Sequence, residues 1–246
     1  MSQSSLPSAA FHLLGEVDFA RLEALQDWLV DEKAADPSPG ITVLLAEHEP
    51  LITVGRCGSR GHIRWEEREL VSRKLPVRWL ARGGGCIPHG PGQLAIYPIV
   101  PLAALGWSVG GYLRRLAAGL AAAISATGIT PQTRPGRFGL WGRTGLLAAI
   151  GVAVRGEVAC FGAYLNVHPA MQAFQGVDTD YDPQPGGRRT MGSLMAERGR
   201  MVRMQGVRSL VVEHLAAAFD QPRFHLLTGH PQLDERKPAR IPARAS

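Results

Sequence analysis

Lysine is almost absent from this sequence. Only Lys33, Lys74 and Lys237 are lysines among the 27 lysine and arginine residues. Arginine stays protonated in proteins, so no side chain between Arg82 and Arg236 can serve as a deprotonatable amine. The sequence therefore excludes every mechanism that needs a catalytic lysine in that stretch.

Cysteine is also scarce, and long apolar runs are missing. Three cysteines without paired spacing argue against a disulfide framework and indicate a reducing compartment. No apolar run approaches the roughly 20 residues that a membrane-spanning helix needs. The Ser-rich start of the chain lacks the basic and apolar regions of a secretory signal. We therefore expect a cytoplasmic protein that has no membrane partner.

The net charge is positive but dispersed. It is formally +6, with an isoelectric point near 9.7. No nucleic-acid-binding motif accompanies this charge, so we expect no nucleic acid partner, whereas a modest positive field suits an acidic protein partner. A chain of 246 residues can form one large domain. We expect a flexible N-terminus over residues 1–11, a single catalytic domain over residues 12–233 and a basic disordered tail over residues 234–246.

The spacing of apolar residues predicts the secondary structure. Helical patterns cover residues 18–33, 109–127, 190–197 and 207–219. Strand patterns cover residues 41–46, 51–55, 76–80, 94–100, 138–141, 145–154 and 157–167, and residues 179–189 are predicted to form a loop. Short turn signals separate the last three strands, which predicts an antiparallel meander rather than βαβ alternation.

The segment from Arg82 to Ile99 carries the densest chemistry. Its first part, residues 82–89, holds three consecutive glycines together with Cys86 and His89, and we call it the glycine loop. Glycine lets backbone approach a ligand closely. Arginine, cysteine and histidine bind anions, attack carbonyl carbons and move protons. The glycine loop is therefore the main candidate for a functional segment.

Four blocks of sequence, in this order, resemble the octanoyltransferase family. Residues 14–20 resemble the family's first helix, and residues 44–56 resemble its Glu-His-x-Pro segment followed by Thr-x-Gly-Arg. The glycine loop with its His-Gly-Pro-Gly-Gln continuation is the third block. Residues 147–151 and 162–167 form the fourth, which is similar to the family's Ala-Ala-Ile-Gly and Leu-Asn-Val strands.

This resemblance implies the catalytic-domain fold of biotin and lipoate protein ligases, an α+β fold with a mixed, largely antiparallel sheet flanked by helices. It implies transfer of an octanoyl group from acyl carrier protein to a lysine of lipoyl domains, in 2-oxoacid dehydrogenases and in the H protein of glycine cleavage. The donor thioester is already activated, so we expect no cofactor and no metal. The substrate-binding residues that the resemblance implies are Arg82, Gly83, Gly84, Gly85, Ala149, Ile150, Gly151, Gly162, Ala163 and Tyr164.

The sequence departs from the family at its two catalytic positions. The family attacks the thioester with the cysteine of a Pro-Cys-Gly loop, and a lysine just before Ala-Ala-Ile-Gly lowers the pKa of that cysteine. Here Leu146 stands at the lysine position, and residues 174–194 contain no cysteine. The nucleophile must therefore have moved, if the reaction is retained.

Three cysteines are candidates for a relocated nucleophile. Cys86 is the first, with His89 as its catalytic partner, because a nearby imidazole and the guanidinium of Arg82 can hold a thiolate. Cys160 lies on a strand close to the fourth block and is the second. Cys57, in a predicted turn without a nearby base, is the third. A small buried hydrophobe is the ordinary alternative for each of them.

Three further interpretations stay open. Arg143, near the vacated lysine position, could supply positive charge but could not shuttle a proton. A catalytically inactive relative could bind octanoyl or lipoyl groups, or lipoyl domains, without turnover. An ATP-dependent lipoate or biotin ligase is disfavoured, because those enzymes use a lysine in the stretch where this chain has none.

Overall fold

A computed structural model describes residues 9–36, 38, 40–179 and 191–233. The strands in this part of the chain are β1 (Ala9–Glu16), β2 (Ile41–Glu47), β3 (Leu51–Val54), β4 (Val77–Trp79), β5 (Cys86–His89), β6 (Gln93–Pro101), β7 (Gly139–Gly142), β8 (Gly145–Arg155), β9 (Val158–Asn166) and β10 (Phe224–Thr228). The α-helices are α1 (Phe19–Ala35), α2 (Glu67–Ser72), α3 (Val109–Ala126), α4 (Leu194–Arg198) and α5 (Met204–Ala218).

Seven strands form one large sheet in the order β10-β1-β2-β6-β9-β8-β7. β1 runs parallel to both of its neighbours, and the other pairs are antiparallel. The mixed, largely antiparallel sheet is therefore confirmed, and so is the meander of β7, β8 and β9. A second sheet holds β4, β3 and β5, with β3 antiparallel to β5.

Alternate residues of the large sheet enter two hydrophobic cores, one on each face. Leu45 and its partner Ile96 point towards α3 and α5, whereas Leu44 and its partner Tyr97 pack on the face that carries α1. This alternation follows from the two-residue period of a strand. The face that carries α1 also holds the candidate site described below.

The start of the domain differs from the sequence-based prediction. The block that begins at Leu14 was expected to open the first helix, but Leu14 lies in β1 and α1 begins at Phe19, where the Asp18 side chain accepts a hydrogen bond from the backbone N–H of Arg21. β1 itself begins at Ala9, although the domain was expected to begin at residue 12. Ala9 is fully buried in the core, so residues 9–11 belong to the domain.

Several predictions fall partly outside the described residues. Outside the described residues lie the predicted basic tail over residues 234–246, the first eight residues and nearly all of the predicted loop over residues 179–189. The helix predicted over residues 190–197 is represented by α4, which begins at Leu194 after the capping side chain of Ser193. None of the helices described is both long enough and apolar enough to cross a membrane.

Candidate active site

A cavity of about 390 Å³ opens where the glycine loop contacts β8. Its size lies within the range of sites that bind small molecules. The glycine loop forms one wall of the cavity, and the strands β8 and β9 form a second wall. The remaining lining comes from β7, from the turn before it and from two isolated residues, Cys57 and Thr179. The lining residues are Arg82, Gly84, Gly85, Ile87, Leu146, Ala149, Ile150, Gly151, Tyr164, Gly136, Arg137, Phe138, Trp141, Cys57 and Thr179.

Three glycines explain why the glycine loop fits against its neighbours. Gly84 has a positive φ of +81°, a conformation that glycine adopts without steric cost. A Cβ added to Gly55 would lie 2.5 Å from the carbonyl oxygen of Gly84, and one added to Gly151 would collide with the carbonyl oxygen of Gly83. The glycine loop is therefore held between the turn that follows β3 and the middle of β8.

Gly55→Ala is expected to lower the free energy of unfolding by about 2 kcal/mol, because the new methyl group meets backbone that cannot move aside. Gly206→Ala is the matched control, since its added Cβ meets nothing within 4 Å and alanine is preferred in a helix by roughly 0.8–1 kcal/mol. Urea unfolding of the two variants measures both effects. Equal stability of the Gly55→Ala variant and the parent would contradict the close approach.

Arg82 is a buried cation beside the cavity. Its side chain is 1% exposed, and it donates to the carbonyl oxygens of Gly83 (2.9 Å) and Thr53 (3.1 Å) and to the Thr53 hydroxyl (2.7 Å). Its Nε atom has no hydrogen-bond partner within the described ranges, and no carboxylate there forms an ion pair with it. A buried charge without a counter-charge is costly, so this guanidinium favours a ligand oxygen that carries negative charge.

His89 is fixed behind Arg82 rather than exposed in the cavity. Its Nε2 lies 2.8 Å from the Thr53 hydroxyl and its Nδ1 lies 2.7 Å from Oε1 of Gln93. The amide nitrogen of Gln93 donates to Asn166, which leaves the Gln93 oxygen to accept from Nδ1–H. Burial, followed by the charges of neighbouring groups, lowers the pKa of His89 well below its usual value. His89 is therefore neutral and has both ring nitrogens engaged.

Cys86 and His89 are not brought together. They stand three positions apart on β5, so their side chains point to opposite faces of that strand. Cys86 is fully buried in a small core with Ile52, Val54 and their neighbours, and its thiol contacts the carbonyl oxygen of Ser59 at 3.5 Å. Burial raises the pKa of this thiol. The catalytic role of Cys86 stays a prediction, and its position favours the alternative of a small buried hydrophobe.

The other two cysteines differ from each other in exposure. Cys160 is buried on the α1 face, and burial raises the pKa of its thiol although Arg155 opposes the effect. Cys57 is exposed and lines the cavity. Of the three cysteines, all of which the structure describes, Cys57 is the one whose surroundings allow a ligand to reach it.

The predicted substrate-binding residues fall into two groups. Those that line the cavity are Arg82, Gly84, Gly85, Ala149, Ile150, Gly151 and Tyr164. Gly83 instead supports the loop, because its N–H donates to the carbonyl oxygen of Val152. Gly162 lets β9 approach β6, since an added Cβ would lie 2.6 Å from Cδ of Pro98, and Ala163 faces the core under α3. Arg143 lies in the turn between β7 and β8 and does not line the cavity.

Sequence reasoning missed four residues that shape this site. Phe138 and Trp141 form the outer apolar wall, and Phe138 is 62% exposed. Thr179 lines the cavity and is 7% exposed, and Thr53 joins Arg82 to His89. Phe138 and Trp141 carried a signal in the sequence, as aromatic residues in a predicted strand. No cluster of histidine, cysteine or carboxylate side chains suited to a metal ion occurs in the described ranges.

The free energy of unfolding should fall between pH 7 and pH 5. The pKa values of His48 and His89 are lowered, in both cases mainly by burial, so the unfolded chain binds more protons than the folded one below about pH 6.5. The contribution of each histidine to the free energy of unfolding is fully present above that pH. Below it, this contribution decreases by at most about 1.4 kcal/mol per pH unit. Urea unfolding at both pH values measures the fall, which His89→Gln should reduce. An unchanged fall in that variant would contradict the assignment.

Comparison with known proteins identifies a family that this chain resembles in sequence. Residues 18–216 match the family model described as lipoyl protein ligase A/B catalytic domain. The chain is 36% identical to the octanoyltransferase of Syntrophotalea carbinolica over 203 residues, which cover 82% of this chain and 90% of that protein. It is 32% identical to the octanoyltransferase of Pelobacter propionicus over 210 residues, covering 85% and 94% of the two chains.

The solved structures support the fold. A bipartite lipoate protein ligase from Thermoplasma acidophilum gives a TM-score of 0.69 at 13% identity, over 92% of this chain and 88% of that one. A biotin protein ligase from Aquifex aeolicus gives 0.52 at 14% identity, over 86% and 70%. The expected fold is confirmed by these likenesses.

Proposed function

This chain belongs to the octanoyltransferase family, whose members have the lipoyl protein ligase A/B catalytic domain. It is thus an acyltransferase that transfers octanoyl or lipoyl groups. On that premise we propose that it moves an octanoyl group from acyl carrier protein to a lysine of a lipoyl domain. A cysteine acyl-enzyme is the intermediate. The 2-oxoacid dehydrogenases and the glycine cleavage H protein are the proposed acceptors.

One observation carries this proposal: the cavity joins an apolar wall to a buried guanidinium. Leu146, Phe138 and Trp141 offer an apolar surface along which an acyl chain can lie. Each methylene that leaves water contributes about 0.8 kcal/mol. Arg82 stands at the polar side, where it can hold the carbonyl oxygen as negative charge develops on it during attack.

The site lacks the lysine that the resemblance implies for the family's transferases and for ligases alike, so the nature of the donor is what separates transfer from ligation. Leu146, 5% exposed, occupies the wall where the family resemblance places a lysine. A thioester donor needs no activation by ATP, because its carbonyl carbon is already open to a thiolate. Transfer from acyl carrier protein therefore suits these residues better than ATP-dependent ligation does.

The same two departures from the family favour a second candidate, a relative that binds octanoyl or lipoyl groups without turnover. Leu146 supplies no charge to a nucleophile, and the buried thiols of Cys86 and Cys160 have raised pKa values. The two candidates differ in whether the acyl group leaves the protein. A transfer assay therefore decides between them.

The test uses the full chain with octanoyl-acyl carrier protein and a recombinant lipoyl domain. Intact mass spectrometry of the lipoyl domain should show one added octanoyl group without ATP, and none when the acceptor lysine is replaced by arginine. Octanoyl retained on the enzyme without transfer would favour the inactive relative. Modification that requires lipoate and ATP would overturn the proposal in favour of a ligase.

A further inference from the structure

We propose that Cys57 is the thiol that accepts the octanoyl group, an inference that rests on the proposed function. Cys57 is exposed and lines the cavity, whereas Cys86 and Cys160 are buried and do not. A nucleophile must reach the carbonyl carbon of its substrate directly. Of the three thiols, that of Cys57 meets this requirement.

The backbone holds Cys57 against the glycine loop. Three consecutive N–H groups, of Gly55, Arg56 and Cys57, donate to carbonyl oxygens of the glycine loop at 3.0, 2.9 and 3.0 Å. Their acceptors are Gly85, Arg82 and Gly84 in that order. These bonds hold the backbone of Cys57 against the glycine loop, so that Cys57 and Arg82 line the same cavity.

Two residues that line the cavity together with Cys57 carry unpaired buried polar atoms, which point independently to a ligand. Nε of Arg82 and the hydroxyl of Thr179 are buried and have no hydrogen-bond partner in the described part of the chain. Both side chains are more than nine-tenths buried, at 1% and 7% exposure, and both line the cavity. Buried polar groups are rarely left unpaired. Each can donate a hydrogen bond, and the carbonyl oxygen of a bound ligand is an acceptor of the kind that they lack.

The other cysteines have packing roles that account for them without catalysis. The sulfur of Cys86 lies beneath Gly58, where a Cβ would come within 3.1 Å of it. Glycine at position 58 thus makes room for a sulfur that faces the small core rather than the cavity. Cys160 lies on the α1 face beside Arg155, also away from the cavity lining.

The reaction balances with this assignment. The Cys57 thiolate attacks the thioester carbonyl carbon of octanoyl-acyl carrier protein, a new C–S bond forms, and the bond to the carrier sulfur breaks. The carrier leaves as a thiolate and takes up the proton that Cys57 released to solvent. The neutral lysine amine of the lipoyl domain then attacks the same carbon, the C–S bond to Cys57 breaks, and the amine proton passes through solvent to the departing thiolate.

The experiment compares the parent with Cys57→Ala, and with Cys160→Ala as a matched control. Each full chain is mixed with octanoyl-acyl carrier protein and analysed by intact mass, with and without hydroxylamine, which cleaves thioesters. The parent and Cys160→Ala should gain one hydroxylamine-sensitive octanoyl group, and Cys57→Ala should gain none. Transfer to the lipoyl domain should fall at least 100-fold in Cys57→Ala. Circular dichroism checks that this exposed substitution leaves the fold intact.

The outcomes separate this inference from the proposed function. Transfer by the parent with full acylation of Cys57→Ala would overturn the role of Cys57 and leave the function standing; loss of the adduct in Cys86→Ser would then assign Cys86. Acylation of Cys57 without transfer would support the inference and overturn the function in favour of acyl binding. A parent that takes up no octanoyl group overturns both.

Discussion

Arg82→Met should lower kcat/KM for octanoyl transfer by about 10²–10³-fold, the cost of removing one donor that stabilises an oxyanion. Methionine keeps the length and apolar stem of the side chain but cannot donate a hydrogen bond. Arg82 is 1% exposed, and its unpaired Nε lies beside the cavity. Steady-state kinetics with octanoyl-acyl carrier protein and a lipoyl domain measure the effect.

Two controls make this result specific. Arg114→Met removes an exposed arginine on α3 and should leave the kinetics unchanged. Arg82→Lys restores positive charge as a compact ammonium without the planar fork of arginine, so it should recover part of the rate. Arg82→Met with kcat/KM within threefold of the parent would show that the guanidinium does not act on the reacting carbonyl.

The elements that the sequence predicted well depend on short-range patterns. α1 and α3 follow from helical periodicity, and β7 to β9 follow from apolar segments separated by short turns. Most of the residues that were assigned to substrate binding do line the cavity. They could be assigned from the sequence because the glycine loop and the Ala-Ala-Ile-Gly segment of β8 are both recognisable motifs. The order of the seven strands was not predictable in this way, since β1 pairs with β10 across nearly the whole chain.

The three cysteines show how far a sequence pattern reaches. Cys86 is close to His89 in sequence, but an odd spacing along a strand puts the two side chains on opposite faces. Once β5 is recognised as a strand, its two-residue period predicts that Cys86 and His89 lie on opposite faces. Cys57 gave no comparable sign. Its place in the cavity depends on backbone bonds between the turn after β3 and the glycine loop, about 30 residues apart, and such non-local contacts are not visible in one sequence.

A network of side-chain hydrogen bonds connects β9 with the glycine loop. Asn166 donates to the carbonyl oxygen of Gly192 and accepts from Gln93, which in turn accepts from His89. His89 accepts from Thr53, and Thr53 accepts from Arg82. The chain of bonds therefore runs from β9 to the cation in the cavity. We therefore expect its members to orient Arg82 rather than to move protons.

His89→Gln and His89→Leu distinguish a positioning residue from a general base. His89→Leu leaves the buried amide oxygen of Gln93 without its donor and the proton of the Thr53 hydroxyl without its acceptor, at about 1–3 kcal/mol each. The free energy of unfolding should therefore fall by about 3 kcal/mol. His89→Gln keeps a donor and an acceptor and should lose less. Urea unfolding ranks the two variants.

The pH dependence of kcat/KM separates the two roles of His89. The lowered pKa of His89 keeps it neutral, so it should produce no acid limb between about pH 6 and 8. We expect His89→Gln to retain the parent's pH profile and to lose less than about tenfold in rate, through less exact placement of Arg82. A general base would behave differently, because its replacement would cost about 10²–10⁴-fold with little loss of stability and would remove a limb of the profile. That combination would return His89 to the catalytic role that its neighbourhood in the sequence suggested.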